Sequence, residues 1–269
     1  MDVDRGVKAA APLLARAPRR ARRLASELDL ARSVGLAPVW RRRRHEARLE
    51  QVGRGFLDVV YGRIWREAAE ELGARVSEAD DGFLEIERGG ARTRVRHHIV
   101  PLDDPAALRR ALDKKAVHDA LTGAGVPVPD HLEFDLGPLG AARRFVESSP
   151  SPCVVKPSSG TAGGAGVTSG VRTWPELWRA VLRASGYDTR MLVEGQGSGH
   201  VYRLLVLDGV LLDVVRRQPC GVTGDGRSTV GELIEQENRR RLTTPEAVPI
   251  LPVDLDCVFT LARAGLSLR

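Results

Sequence analysis

The chain has 269 residues, of which 42% are hydrophobic and 28% charged, with a formal net charge of +6. These proportions are typical of a soluble protein with one large domain or two to three small ones. No apolar run approaches the ~20 residues that a membrane-spanning helix requires. The short apolar stretch 9–14 leads into arginines rather than a signal-peptide cleavage site. We therefore expect a cytoplasmic protein without a membrane partner.

The first 54 residues carry a dense supply of arginines with few acids to balance them. We interpret residues 1–54 as a basic helical segment. Such a segment is able to meet an anion, and nucleic acid is the most specific candidate. Basic runs in an arginine-rich chain are more often solvated helix faces, however. We therefore favour a solvated helix face over a nucleic-acid-binding segment.

Residues 55–110 have the pattern of a small α+β unit. Apolar positions recur at helical spacing over residues 57–72, and Gly73 follows as a helix terminator. Three short strands, at residues 74–77, 83–87 and 92–99, are separated by glycine turns. A connector at 101–105 precedes a helical pattern at 106–123. His97 and His98 fall in the last of these strands and carry no sign of a metal site, and the three cysteines are interpreted as buried thiols.

A glycine-rich loop follows a short strand at residues 154–157 that delivers Lys156. Without a Cβ, glycines let backbone N–H groups turn toward an anion and approach it closely, so phosphate is the natural guest of this loop. The loop lacks the Gly-Lys-Ser/Thr ending of a P-loop and leads toward another strand. Taken alone it also fits a surface hairpin. Its glycines are Gly160, Gly163, Gly164 and Gly166.

The surrounding motifs give this loop a context. Lys114 precedes a Gly-Val-Pro-Val-Pro turn at 125–129, with Lys115 as the second choice for the same role. Later come the strand 191–194, a glycine turn and second strand with Tyr202-Arg203, and a run that contains Arg217 and Thr223-Gly224-Asp225-Gly226. In this order the motifs resemble the ATP-grasp superfamily, and within it the cyanophycin synthetase-like carboxylate-amine ligases. The resemblance covers about residues 111–268.

The resemblance implies an α+β fold with a two-lobed nucleotide-binding domain at 111–269, its lobes at about 111–190 and 191–269, after the small unit and the basic segment. ATP is expected between the lobes, with its phosphates on Lys114, Lys156 and the loop glycines. Leu192 and Val193 would line the adenine, and Glu194 would accept from its amine or from the ribose. Arg203 and Arg217 are the expected catalytic residues.

The implied reaction joins a carboxylate to an amine through an acyl phosphate, with a small-molecule or peptide substrate that carries the carboxylate. Mg²⁺ is the expected cofactor, but in the family its ligands follow a segment like 261–266, and here the sequence ends at Arg269. We assign no metal ligands, because the acids around residues 232–238 fit a solvated helix face. We expect an incomplete C-terminal lobe. The chain is then a fragment, a subunit completed by a homo-oligomer or another chain, or a remnant that binds nucleotide without turnover.

Overall fold

A computed structural model of the chain describes residues 3–102, 104–161, 164–243 and 250–269. Gly163 lies outside the described residues. The chain divides into a larger unit, Met1–Val39 with Leu112–Glu235 and Leu251–Arg269, and a smaller unit, Trp40–Ala111 with Gln236–Ile250. No described helix is both long and apolar enough to cross a membrane.

Helices and strands alternate irregularly along the chain, and the three sheets formed by the described residues are antiparallel, which confirms the predicted α+β class. The helices are α1 (Val3–Arg16), α2 (Arg19–Val34), α3 (Leu36–Glu71), α4 (Pro105–Ala111), α5 (Lys114–Gly123), α6 (Gly140–Ser148), α7 (Trp174–Ser185), α8 (Val230–Thr243) and α9 (Leu255–Arg263). The strands are β1 (Arg75–Glu78), β2 (Leu84–Arg88), β3 (Ala91–Val95), β4 (His131–Asp135), β5 (Cys153–Pro157), β6 (Thr168–Val171), β7 (Arg190–Gly195), β8 (Val201–Leu207) and β9 (Val210–Arg217).

The smaller unit contains the predicted meander, with β2 between β1 and β3. Its predicted helix at 57–72 is the C-terminal half of a longer one, because α3 begins at Leu36 and no proline interrupts residues 39–72. Gly73 has a positive φ of 63° at the end of α3, as its predicted role as a helix terminator requires.

The single helix expected over 106–123 is instead two helices, α4 and α5. The break occurs at Asp113, whose carboxylate accepts a hydrogen bond from the backbone N–H of Ala116 at 3.0 Å. This N-cap satisfies a donor that the first turn of α5 leaves free. Lys114 therefore becomes the first residue of α5.

A four-stranded sheet in the order β4-β7-β5-β6 forms the centre of the larger unit. The most buried helix against it is α7, which begins with a capping box between Thr173 and Glu176. The fully buried Leu177, Ala180 and Val181 of α7 belong to one cluster with Val155 and Val193 from the sheet. The core thus lies on one face of this sheet.

The N-terminal helices α1 and α2 each contribute buried side chains to the larger unit. Val7 and Ala11 of α1 belong to the buried cluster. Arg22 of α2 is only 8% exposed, and its guanidinium donates to the backbone oxygen of Ser185 at the end of α7. The expectation of a solvated face is therefore wrong for Arg22, whose donor satisfies a carbonyl that a helix end leaves unpaired. Three neighbouring arginines of α2 are exposed as expected, namely Arg19, Arg20 and Arg23.

Other local expectations are also corrected. Asn238 in α8 is 3% exposed and so is not part of a solvated face. Cys153 is buried and Cys257 partly so, with burial raising the pKa of the Cys257 thiol to about 11, whereas Cys220 is exposed.

The hairpin of β8 and β9 carries large apolar side chains on both of its faces. Leu205, Val206 and Leu212 are each more than half exposed. Within the described residues, β8 and β9 form a sheet with each other alone.

Candidate functional site

The central sheet has a second face, which points away from the core and carries polar side chains. Directly paired residues on neighbouring strands share a face, and the face alternates along each strand. The register therefore separates Met191 and Val193, which are buried in the core, from Leu192 and Glu194. The residues that share the second face with Leu192 and Glu194 are His131 and Glu133 of β4 and Val154 and Lys156 of β5.

Lys156 and Glu194 form a close ion pair on this face. The ammonium and a carboxylate oxygen lie 2.6 Å apart, and the two side chains are 15% and 13% exposed. Glu194 sits opposite Val154 in the ladder, so Lys156 is its diagonal neighbour. Charges that are this buried are costly unless paired, and the pairing accounts for their stability here.

His118 reaches the same carboxylate from α5. Its Nε2 lies 3.3 Å from Glu194 Oε2, and its ring packs edge-on against His131 with 4.3 Å between centroids. Burial lowers the pKa of His118, although the charge of Glu194 opposes the shift. Within the described part of the chain, His118 Nδ1 and Glu194 Oε2 are buried without a hydrogen bond. Buried polar atoms of this kind usually have a hydrogen-bond partner, which the described residues do not supply for these two.

Lys114 brings a second lysine to this face. Its ammonium donates to Thr161 Oγ1 at 3.2 Å, and its backbone N–H donates to the oxygen of Ser158 at 2.9 Å. Burial lowers the pKa of Lys114, and the positive charge of Lys156 lowers it further. Lys115 instead pairs with Asp119 on its own helix at 2.6 Å. Of the two lysines that the sequence left open, the structure therefore places Lys114 beside the loop.

The glycine-rich loop begins over this face, and the side chains of its first two serines are hydrogen-bonded to carboxylates. Ser158 donates to Glu133, and the hydroxyl of Ser159 donates to Asp188 at 2.8 Å. Gly160, Gly164 and Gly166 have positive φ values of 66°, 83° and 76°. Among the described residues, an added Cβ would meet nothing within 4 Å at Gly160 or Gly164, whereas at Gly166 it would lie 2.7 Å from Tyr187. The first two glycines are thus open to a ligand, and the third is a packing position.

The strand residues expected to line an adenine divide between the two faces. Leu192 is fully buried on the same face as Glu194 and lies outside the core cluster, whereas the side chain of Val193 is part of that cluster. The strand β7 is also paired along both edges, with β4 and with β5. Its backbone groups are therefore paired within the sheet, and the expected adenine contacts of Leu192 and Val193 stay predictions.

Arg203 and Arg217 lie on the β8–β9 hairpin. Arg217 pairs with Val201 and Arg203 with Val215, so the two arginines are diagonal neighbours on one face of the hairpin. Both side chains are exposed. Among the described residues, Glu194 pairs with Lys156 and His118, and Lys114 bonds to Thr161, so neither arginine is joined to these contacts.

Sequence reasoning missed three residues of this site: His118, Glu133 and Asp188. His118 follows Lys114 by four positions, so the helical period of α5 places it on the same helix face. Glu133 follows His131 by two positions in β4, so the two share a face of the strand. This polar spacing is a weak signal in the sequence. Asp188 stands in a turn, and no periodicity in the sequence marks it.

The described side chains do not fit a magnesium site. No group of three His, Cys, Asp or Glu residues that could hold a metal occurs among them. Mg²⁺ at a nucleotide site usually takes one or two carboxylates beside waters and phosphate oxygens, and we assign none of the carboxylates of this face to it. The carboxylates of this face are already engaged by hydrogen bonds or ion pairs, Glu133 with Ser158, Asp188 with Ser159 and Glu194 with Lys156.

Comparison with known proteins provides the family context. No family model matches the chain. It is 35% identical over 163 residues to the cyanophycin synthetase of Nostoc sp., an alignment that covers 59% of this chain and 18% of that protein. It is 31% identical over 190 residues to the glutathione biosynthesis bifunctional protein of Streptococcus mutans, which covers 69% of this chain and 24% of that protein. This chain is related to the ATP-grasp superfamily.

Among solved structures, a bifunctional glutathione synthetase from Pasteurella multocida aligns with 26% identity and a TM-score of 0.37, over 73% of this chain and 27% of that one. The superfamily relationship rests on the sequence relatives. The chain spans about a fifth to a quarter of the length of the curated relatives described above, at 18% and 24%.

Proposed function

We propose that the polar face of the central sheet binds the triphosphate of ATP and that the protein serves an ATP-dependent carboxylate-amine ligase reaction. The observation that supports this most is the meeting of Lys114, Lys156 and an open glycine loop over one buried carboxylate, Glu194. The relatives are carboxylate-amine ligases, which agrees with this chemistry.

The charges of this face favour a polyanion. Lys114 and Lys156 are close enough for the charge of one to lower the pKa of the other. A phosphate between them would remove that repulsion and offset the cost of burying both ammonium groups. The open Gly160 and Gly164 allow backbone N–H groups to approach the same oxygens. Glu194 Oε2, which has no hydrogen bond, is the acceptor for an amine or hydroxyl donor of the nucleotide.

The proposed chemistry has two steps. An oxygen of the substrate carboxylate attacks the γ-phosphorus of ATP and ADP departs, which gives an acyl phosphate. The amine then attacks the acyl carbon and inorganic phosphate departs, which gives the amide. The lysines hold the phosphates and offset the charge that moves during transfer, so positioning and electrostatics supply the catalysis. Arg203 and Arg217 are proposed to neutralise the transferring group.

Binding without turnover is the second candidate. The engaged carboxylates of the site face favour it, because they leave no described set of oxygen ligands that fits Mg²⁺. The protein would then hold ATP without hydrolysing it or activating a carboxylate. Measurement of ADP release beside binding distinguishes the two functions.

Calorimetric titration with ATP tests the shared claim of nucleotide binding. Substitution of Lys156 would leave the buried Glu194 carboxylate without its ion-pair partner, and breaking a buried pair costs ~3–5 kcal/mol of stability. Lys114→Met avoids this loss and is therefore the better test of binding. We expect Lys114→Met to weaken ATP binding at least about tenfold, or ~1.4 kcal/mol. Lys115→Met is the matched control, since Lys115 pairs with Asp119 on its own helix, and we expect binding within about twofold of wild type.

Equal losses in the two lysine variants would contradict the assignment of Lys114, because they would show a general effect of positive charge. A folded wild-type chain that binds no ATP would contradict the proposed function itself.

A further inference from the structure

The glycine-rich loop rests on a turn between α7 and β7, residues 186–189. At the start of the loop, Asp188 accepts hydrogen bonds from the hydroxyl of Ser159 at 2.8 Å and from its backbone N–H at 3.3 Å. At the far end, Gly166 lies so close to Tyr187 that an added Cβ would be 2.7 Å from the ring. Two consecutive residues of one turn thus support both ends of the loop.

The same turn is held from its other side by α2. Arg19 and Arg23 each donate from Nε to the backbone oxygen of Gly186 at 3.0 Å. Their guanidinium groups also lie over the ring of Tyr187, at 5.8 Å and 4.8 Å from its centroid. Arginines suit this place, because they pair with carbonyls at a helix end and stack on an aromatic face with the same planar group.

We propose that α2 acts through Tyr187 as the positioning element of the glycine-rich loop. The arginines fix the ring, the ring limits where Gly166 can lie, and Asp188 holds the other end at Ser159. The two ends of the loop, at Ser159 and Gly166, are therefore preorganised before any ligand arrives, which lowers the entropy lost on binding. The basic N-terminal segment thereby has a role at this site, although no residue of α2 is placed in contact with the ligand.

An effect of Tyr187 on nucleotide affinity rests on the proposed function, whereas its support of the loop does not. Amide hydrogen exchange of the whole chain without nucleotide tests the support of the loop directly. In Tyr187→Leu, we expect residues 159–167 to exchange at least about fivefold faster, because local opening becomes easier. Tyr187→Phe keeps the ring and should restore the wild-type rate.

A second pair of variants tests the contribution of α2. The double variant Arg19→Gln/Arg23→Gln should accelerate exchange over residues 159–167, whereas Arg20→Gln, an exposed neighbour on the same helix, should leave it unchanged. Residues 131–135 of β4 serve as the internal reference. Unchanged loop exchange in Tyr187→Leu, or an equal rise in β4, would overturn the proposal, because the first denies the support and the second shows a general loss of stability.

ATP affinity separates this proposal from the proposed function. We expect Tyr187→Leu to bind ATP at least about fivefold more weakly, and Tyr187→Phe to bind like wild type. A wild-type chain that fails to bind ATP would refute the proposed function, and the exchange data would still decide on the support of the loop. Normal ATP affinity in Tyr187→Leu despite a faster-exchanging loop would overturn the positioning role.

Discussion

Glu194 is the residue at which the charges of the site meet. One of its oxygens is paired with Lys156, and the other lies near His118 without a hydrogen bond. Lys156 and Glu194 were predicted from the motif around each, because a lysine and an acid at strand ends are visible in the sequence. Their pairing depends on the β5–β7 register, which brings together residues 38 positions apart and cannot be counted along the chain.

The pH dependence of stability tests the environment of His118. Burial lowers its pKa; the charges of Glu194 and Asp119 oppose this shift, and those of Lys156 and His131 reinforce it. The unfolded chain therefore binds a proton at this position more readily than the folded chain. The free energy of unfolding should fall as the pH drops below about 6.5, the ordinary value for histidine.

Urea unfolding at pH 7.5, 6.5 and 5.5 measures this effect. His118→Gln should lose part of the decrease on acidification, whereas His200→Gln, at an exposed position, should retain all of it. A pH dependence in His118→Gln that equals that of the wild type would show that His118 titrates alike in the folded and unfolded chain.

The glycine-rich loop shows what sequence patterns predict at the scale of an element. Four closely spaced glycines predicted an anion-binding loop between two strands, and β5 and β6 do flank it. The sequence did not distinguish the glycines from one another. Gly164 is surrounded by open space and Gly166 packs against Tyr187 and Pro157, a difference that tertiary contacts alone create.

Alanine substitutions at these two glycines should therefore differ in cost. Both positions have positive φ, so each substitution carries a strain of about 1–2 kcal/mol. Gly166→Ala adds a steric overlap with Tyr187 and Pro157, and overpacking of this kind costs a further ~1–3 kcal/mol. Urea unfolding of the two variants measures the difference. Equal destabilisation would mean that the loop moves away from Tyr187 at no cost.

For the helices α2 and α3, the sequence did not predict where α3 begins or what the arginines of α2 contact. Apolar spacing located the end of α3 but not its beginning, because residues 36–56 lack a clear apolar stripe. After Pro38, no proline interrupts the helix. The arginines of α2 were interpreted as solvated from composition. Arg19, Arg22 and Arg23 donate to the backbone oxygens of Ser185 and Gly186, more than 160 positions away, so these contacts could not be read from local sequence.

For the molecule as a whole, the order of motifs was more informative than any one of them. No single lysine or glycine loop identifies a nucleotide site, but their succession predicted the relationship to the ATP-grasp superfamily, which the relatives support. The residues on the second face of the central sheet form the nucleotide site that we propose for this chain. The strands β7 and β8 were also predicted, whereas the pairing of β8 with β9 and the exposure of both faces of this hairpin required the structure.

The most direct test of the central claim is amide hydrogen exchange of the wild-type chain with and without saturating ATP. We predict slower exchange on ATP addition in residues 114–118, 156–166 and 192–196, with no change in β1 to β3, because the nucleotide should cover the second face of the central sheet. Slower exchange confined to β1 to β3, or bound ATP that protects none of the three predicted segments, would contradict the account.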